Sequence, residues 1–372
     1  MNLKTLYRAL IAAVIVLMVV GPALVLSASS TYSALKFHDD FYHMFIRHLI
    51  KVGIAILCMF AFAFIPYKYY RVFSKKAIMG MAVLLGITFL MGAAFKGASR
   101  WLTLGPLSLQ PSEIAKIFLI VHVAYLIESK GEEIKDFKKG FRYPVIWIVI
   151  IAGLVFVQPN VSTSIIITTT AFMVLFVGGA RFLHMIGTLT SLGAAAGVFA
   201  MIFRHSRERI MTFIESFGNG GHINTQVAQA KIALGSGGFF GIGLGHSRQS
   251  DLFLPESYGD FIFSILGEEL GYAGVVGILL VYLLIFIVGI LIAKKAADQF
   301  SQLLAFGISF MIILSAFTNA AVVTGLAPTT GIPLPFISYG GTSVVLMCIS
   351  AGILINIAMT SNKLQETKKA AH

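Results

Sequence analysis

The chain has 372 residues, of which 57% are hydrophobic and only 12% are charged, and its mean hydropathy is +0.87. Soluble domains carry about 25% charged residues, so this composition excludes an ordinary soluble globular protein and indicates a membrane protein. The net charge of +12 does not indicate nucleic acid. The basic residues sit in short clusters between apolar runs, where lipid headgroups and insertion topology account for them.

In chain order, ten apolar runs approach the roughly 20 residues that a helix needs to cross a hydrocarbon core about 30 Å thick. They lie at approximately 9–28, 46–66, 77–95, 111–127, 144–158, 163–180, 183–203, 270–293, 302–325 and 342–360. The first run has no small-residue cleavage site that outcompetes a span, so a retained first helix is expected. The run at 111–127 contains Glu113 and Lys116, and only Gln158, Pro159 and Asn160 separate the fifth and sixth runs. Cys58 and Cys348 lie far apart within apolar runs and indicate neither a disulfide framework nor a metal site. The expected fold is therefore an all-α integral membrane protein of about ten transmembrane helices, a single polytopic domain over 1–372.

Lysine and arginine concentrate in alternate connections: Lys4 and Arg8, Lys68 to Lys76, Lys130 to Arg142, Arg181, Lys294 and Lys295, and Lys363 to Lys369. Cytoplasmic loops retain such an excess, so both termini are expected in the cytoplasm. The segment from about 204 to 260 then becomes a long outer-face loop, and a connection of that length is usually functional. Its Gln226–Gly245 stretch, QVAQAKIALGSGGFFGIGLG, is apolar and glycine-rich without forming a full span. A re-entrant or surface-lying segment is expected there, because irregular backbone at membrane depth must be buried in protein or line a wet cavity.

The sixteen acidic residues can be sorted by position. Glu113, Asp260, Glu268 and Glu269 lie at membrane boundaries or within expected helices, where an ionisable group is costly and is a functional candidate. Asp260 opens the apolar stretch DFIFSIL directly after the long loop, so either helix capping or catalysis suits it. Glu113 and Lys116, spaced i,i+3, share a helix face and can form an internal ion pair, structural or functional. Glu256 lies in the loop just upstream of Asp260. Arg100, Arg204, Arg207, Arg209, Lys231 and Arg248 place cations on the outer side, which suits a substrate bearing phosphates. The chain contains no GxxxxGK[ST] loop, no HExxH and no Cys/His ligand cluster.

Four segments resemble the SEDS family of FtsW and RodA: Gly97–Lys116 (GASRWLTLGPLSLQPSEIAK), Gln229–Gly245, Leu254–Gly271 (LPESYGDFIFSILGEELG) and Gly325–Ser343 (GLAPTTGIPLPFISYGGTS). The resemblance implies a ten-helix peptidoglycan glycosyltransferase of the bacterial inner membrane. It also implies lipid II as substrate and a class B penicillin-binding protein as partner. The family's catalytic aspartate falls on Asp260. Glu113, Lys116, Arg100, Arg209, Lys231, Ser236, Arg248, Glu256, Glu269, Asn319 and Ser338 are the candidates for substrate binding or support. No nucleotide or redox cofactor is implied, and a divalent-cation requirement stays open.

Two departures stand out. Tyr258 and Gly259 replace the family's usual His-Thr or His-Ser, which leaves the role of those side chains in doubt but not that of the acid. Asn160 stands where the family commonly has aspartate, so no charge-dependent role transfers to it. FVGGAR at 176–181 and GEELG at 267–271 are more similar to FtsW, the division enzyme, than to RodA, the elongation enzyme. A lipid II flippase and a non-catalytic scaffold are the competing readings. The outer-end placement of the acid and cations favours a polymerase, since transporter sites usually lie near the midplane.

Overall fold

The computed structural model describes residues 2–94, 101–104, 107–202, 204–215, 224–250 and 253–370. Twelve α-helices make up nearly all of it: α1 Leu3–Lys36, α2 His43–Phe64, α3 Lys68–Ala94, α4 Pro111–Lys130, α5 Arg142–Val157, α6 Val161–Val177, α7 Phe182–Ile202, α8 Arg204–Glu215, α9 Thr225–Ser236, α10 Ile262–Lys295, α11 Gln299–Val323 and α12 Gly341–Ala370. Among the described residues, eight are long and apolar enough to cross a membrane. Of the ten expected runs, the fourth and sixth fall outside that set. The α4 helix carries four charged residues, Glu113 and Lys116 in its buried face and Glu128 and Lys130 near its end, and α6 has 17 residues; α5, with 16, reaches spanning length only with the π-helical turn Phe137–Phe141 that runs into it.

Local chemistry sets several helix starts. Pro111 opens α4 at its first turn, where a missing N–H costs nothing. Asp298 and Ser301 form a reciprocal capping box at the start of α11. The Asn224 side chain accepts the Gln226 amide at 2.9 Å to cap α9.

The bundle packs α12 along α2 and α1, α10 along α11 and α1, and α4 against α3, α6 and α11. The α11 and α12 helices are the most enclosed, whereas α7 buries almost nothing of its apolar surface. At one end of the bundle a polar network joins four elements. Tyr67 donates its hydroxyl to Asp298 (2.8 Å), and its amide to Asn356 (2.9 Å). Arg71 pairs with Glu128 at 3.2 Å, and Glu128 also accepts the Phe300 amide at 3.3 Å.

Three features add detail to the sequence expectation. A short antiparallel hairpin, β1 Leu102–Leu104 with β2 Leu107–Leu109, interrupts the otherwise helical chain before α4. The segment 204–260, where a re-entrant or surface-lying stretch is expected, contains α8 and α9, and α9 packs on α10 and α11. Finally, α10 begins at Ile262 rather than near 270, and breaks at Gly271, whose φ of 65° and ψ of −168° are accessible to glycine. The stretch 262–269 ahead of the break is wholly buried, so it is a short internal helix leading into the spanning one.

Candidate active site

Asp260 lies two residues before α10, half-buried. The helix cap is Phe261 and makes no side-chain capping bond, so the aspartate does not serve as the N-cap. It lines a cavity of about 160 Å³ together with Gln226 of α9, Glu256, Phe261, Asn319 and Val322 of α11, and Thr329 to Ile332 of the α11–α12 connection. Gly331 approaches it so closely that a β-carbon there would lie 3.2 Å from Asp260 Oδ2.

The backbone of this turn is clamped at three successive carbonyls. The Tyr339 amide donates to Tyr258 O at 2.9 Å, Ser338 Oγ to Gly259 O at 2.9 Å, and Asn319 Nδ2 to Asp260 O at 2.7 Å. Ser338 Oγ also accepts the Leu334 amide at 2.7 Å, and Asn319 Nδ2 also donates to Ile332 O at 2.8 Å. From the other side Ser257 Oγ donates to Ala28 O of α1 at 3.0 Å. Because backbone carbonyls in a buried turn must find donors, these bonds both satisfy the turn and immobilise the acid.

Glu268 and Glu269, functional candidates by their position in the sequence, hold the glycine-rich loop. Glu268 accepts from Ser236 Oγ (3.4 Å), Ser247 Oγ (2.5 Å), Arg248 N (3.2 Å) and Gln249 N (3.4 Å). Glu269 accepts from Ser27 Oγ of α1 and from Gly245 N at 3.0 Å. Hydrogen bonds from fixed backbone amides offset the cost of burying two adjacent carboxylates. Gly241 makes the contact possible: at φ 82°, its missing β-carbon would sit 2.0 Å from Glu269 O.

The remaining candidates divide. Glu113 and Lys116 do form a buried ion pair, at 2.8 Å, inside α4. Ser112 beside them takes a 3.3 Å hydrogen bond from Asn160 Nδ2, so the neutral amide fills that position as a donor. Lys231 is exposed on α9, with its ammonium over Gly325 at the end of α11. Arg248 contributes its amide to the Glu268 cradle and exposes its side chain. Arg100 lies outside the described residues, as does the side chain of Arg209. Among the described residues no group of three or more His, Cys, Asp and Glu is placed to hold a metal.

Sequence reasoning missed an aromatic chain behind the acid. Tyr258 packs between Tyr32 (5.3 Å between ring centroids) and Tyr339 (5.7 Å), and Tyr339 in turn meets His48 at 5.5 Å and the Lys51 ammonium at 4.4 Å. Burial, then the Glu256 charge, push the Tyr258 phenol above its usual range, so it stays neutral and serves packing. Only a general enrichment of aromatic and cationic residues at helix ends could have signalled this cluster.

These features define a multi-pass helical membrane protein with an acid held in a small polar cavity at one end of its bundle. The profile of the FtsW, RodA and SpoVE family, described as cell cycle protein, matches residues 7–363, and the chain belongs to that family. A relative from Geobacter metallireducens, named probable peptidoglycan glycosyltransferase FtsW, is 35% identical over 363 residues, covering 96% of each chain. Stage V sporulation protein E of Bacillus subtilis is 36% identical, covering 93% of this chain and 95% of that one. Two solved structures share the fold at 23% identity and cover 95% of this chain. One, with a TM-score of 0.77 and 97% of its chain covered, comes from work on the coordination of polymerization and crosslinking by a peptidoglycan synthase complex. The other is the rod shape determining protein RodA of Thermus thermophilus, with a TM-score of 0.69 and 96% of its chain covered.

Proposed function

We propose that this chain is a peptidoglycan glycosyltransferase that polymerises lipid II at the outer face of the bacterial inner membrane, in the division role for which its FtsW-named relatives are called. The observation that carries the reading is the clamped Asp260 carboxylate in a polar cavity, on the residue where the family motif has its acid. Asp260 removes the proton from a sugar hydroxyl of the acceptor as that oxygen bonds to the anomeric carbon of the donor. The bond from that carbon to the lipid pyrophosphate breaks, and the pyrophosphate leaves with the electron pair. A positioned base of this kind contributes about 10²–10⁴-fold.

The cations along α8, α9 and the glycine-rich loop, Arg209, Lys231 and Arg248, neutralise the departing pyrophosphate. The charge asymmetry of the connections supports cytoplasmic termini, with the Asp260 end outside. Membership of the family, and likeness to a chain from a synthase complex, support a class B penicillin-binding protein as partner.

The test is polymerisation of lipid II by purified Asp260→Asn protein with its partner present. A fall of about 10²–10⁴ is expected, and a wild-type rate overturns the assignment. Glycan chains among the products of the unaltered protein separate a polymerase from a flippase, which moves the lipid without joining it.

A further inference from the structure

Lys51 stands where a cation is least expected. It follows the first residue of α2, His43, by eight positions, roughly 12 Å along a helix that rises about 1.5 Å per residue. Its neighbours Leu49, Ile50 and Ile54 expose apolar side chains, as a lipid-facing surface does. An ionisable group within a spanning helix is costly and is a functional candidate by default. Insertion topology does not account for it either. The α1–α2 connection, 37–42, is short and lies outside in the topology proposed above, where lysine and arginine are disfavoured, yet Lys36, Arg47 and Lys51 gather around it.

The Lys51 ammonium has a defined seat close to the acid's turn. It lies 4.4 Å from the centre of the Tyr339 ring, and Tyr339 meets Tyr258, two residues before Asp260, at 5.7 Å between centroids. On the other side of Tyr258 packs Tyr32, at 5.3 Å, whose hydroxyl accepts from Lys36 Nζ at 3.0 Å. Two cations thus bracket the tyrosine cluster. Among the described residues neither forms an ion pair with a carboxylate. Asp40 is engaged by His43 at 3.4 Å and by the Tyr42 amide at 3.0 Å, while Glu256 lies within electrostatic reach of Lys36.

Lys231 stands on another flank of that turn, since α9 packs on α10 and α11, whereas α1 and α2 pack together against α12. The reaction proposed above joins two lipid-linked molecules, so two pyrophosphates are held near the acid at once. The donor's is bonded to the carbon under attack and must lie close to the carboxylate. The acceptor's is separated from the reacting hydroxyl by a disaccharide, and a cation two ring contacts away from the acid's turn suits it. We propose that Lys51, with Lys36 across the tyrosine cluster, binds the acceptor's pyrophosphate. The inference rests on the polymerase reading. A charge-assisted bond from Lys51 to a lipid-borne phosphate anchors the acceptor at the membrane boundary and sets how far its sugar reaches towards Asp260.

The experiment supplies the full chain with its partner, in phosphatidylcholine nanodiscs, with lipid II as donor and a labelled acceptor in trace. Two acceptors carry the same disaccharide. One bears the lipid pyrophosphate through a methylene group, which keeps the charges but cannot leave, and the other bears an uncharged lipid ether. The ratio of their kcat/KM values reports the worth of the acceptor's charge. Wild type favours the charged acceptor by about ten- to a hundredfold, as hydrogen bonding to a charged group implies. Lys51→Met lowers that ratio towards one, whatever it does to the overall rate, and Lys51→Arg retains it. An unchanged ratio in Lys51→Met overturns the proposal. So does a wild-type rate that rises with added phosphatidylglycerol equally for both acceptors and ceases to do so in Lys51→Met, which identifies a bulk phospholipid headgroup as the ligand. Absence of glycan chains from wild type refutes the polymerase reading itself and is distinguishable from either result.

Discussion

Ser338 Oγ donates to the Gly259 carbonyl at 2.9 Å while accepting the Leu334 amide at 2.7 Å, which links the α11–α12 connection to the turn that carries the acid. Ser338→Ala removes both bonds from a fully buried site. The expected cost is about 1–3 kcal/mol of stability, one orphaned Leu334 amide included. Polymerisation should fall more than this loss of folded protein explains, because Gly259 adjoins Asp260. Thermal unfolding in detergent, set beside initial rates, checks both parts.

The Glu113–Lys116 pair makes a second case. Both side chains are at least nine-tenths buried, and their 2.8 Å contact lies within one turn of α4. Replacing either partner alone, by Glu113→Gln or Lys116→Met, strands the other charge and should destabilise by about 3–5 kcal/mol. The double substitution should cost clearly less than the sum of the two, since no uncompensated charge remains. Additive losses in unfolding temperature would show that the two groups do not act as a pair.

The Glu268 cradle predicts a local effect. Glu268→Gln keeps the shape but turns one acceptor oxygen into a donor facing other donors. The loop over 237–250 should then exchange its amide hydrogens about ten- to a hundredfold faster, as loss of about 1.5–3 kcal/mol of charged hydrogen bonding implies. Exchange within α11 and α12 should not change. Uniform acceleration across the bundle would instead indicate global destabilisation.

Gly331 has a φ of 70°, and a β-carbon there would lie 3.2 Å from Asp260 Oδ2. Gly331→Ala therefore strains the backbone by about 1–2 kcal/mol and crowds the carboxylate. Activity should fall by about ten- to a hundredfold through displacement of the base. A wild-type rate constant in a folded Gly331→Ala protein would mean that the loop yields without moving the acid.

Much of this architecture is legible in the sequence for a physical reason. Lipid forces the backbone of a span to satisfy itself within one helix, so hydropathy alone finds α1, α2, α10 and α12. The start of α10 is not legible, because Glu268 and Glu269 make 262–270 look too polar for a buried segment. Their charges are met by Ser236, Ser247 and loop amides far away in the chain, and no local pattern announces those partners. The same holds for the site. Asp260, Asn319 and Ser338 stand out by residue type and motif. That the last two grip backbone carbonyls beside the first depends on contacts across 59 and 79 residues.

The spread of those contacts along the chain sets the timing of assembly. The acid's turn and the helix that follows it are tied to α1 through Ser257 to Ala28 and Ser27 to Glu269, and to the α11–α12 connection through Asn319 and Ser338. A chain emerging from the ribosome has made its aspartate long before it has made Ser338. Until that connection has been inserted, the unfinished protein possesses the acid but lacks the contacts that hold its turn in place.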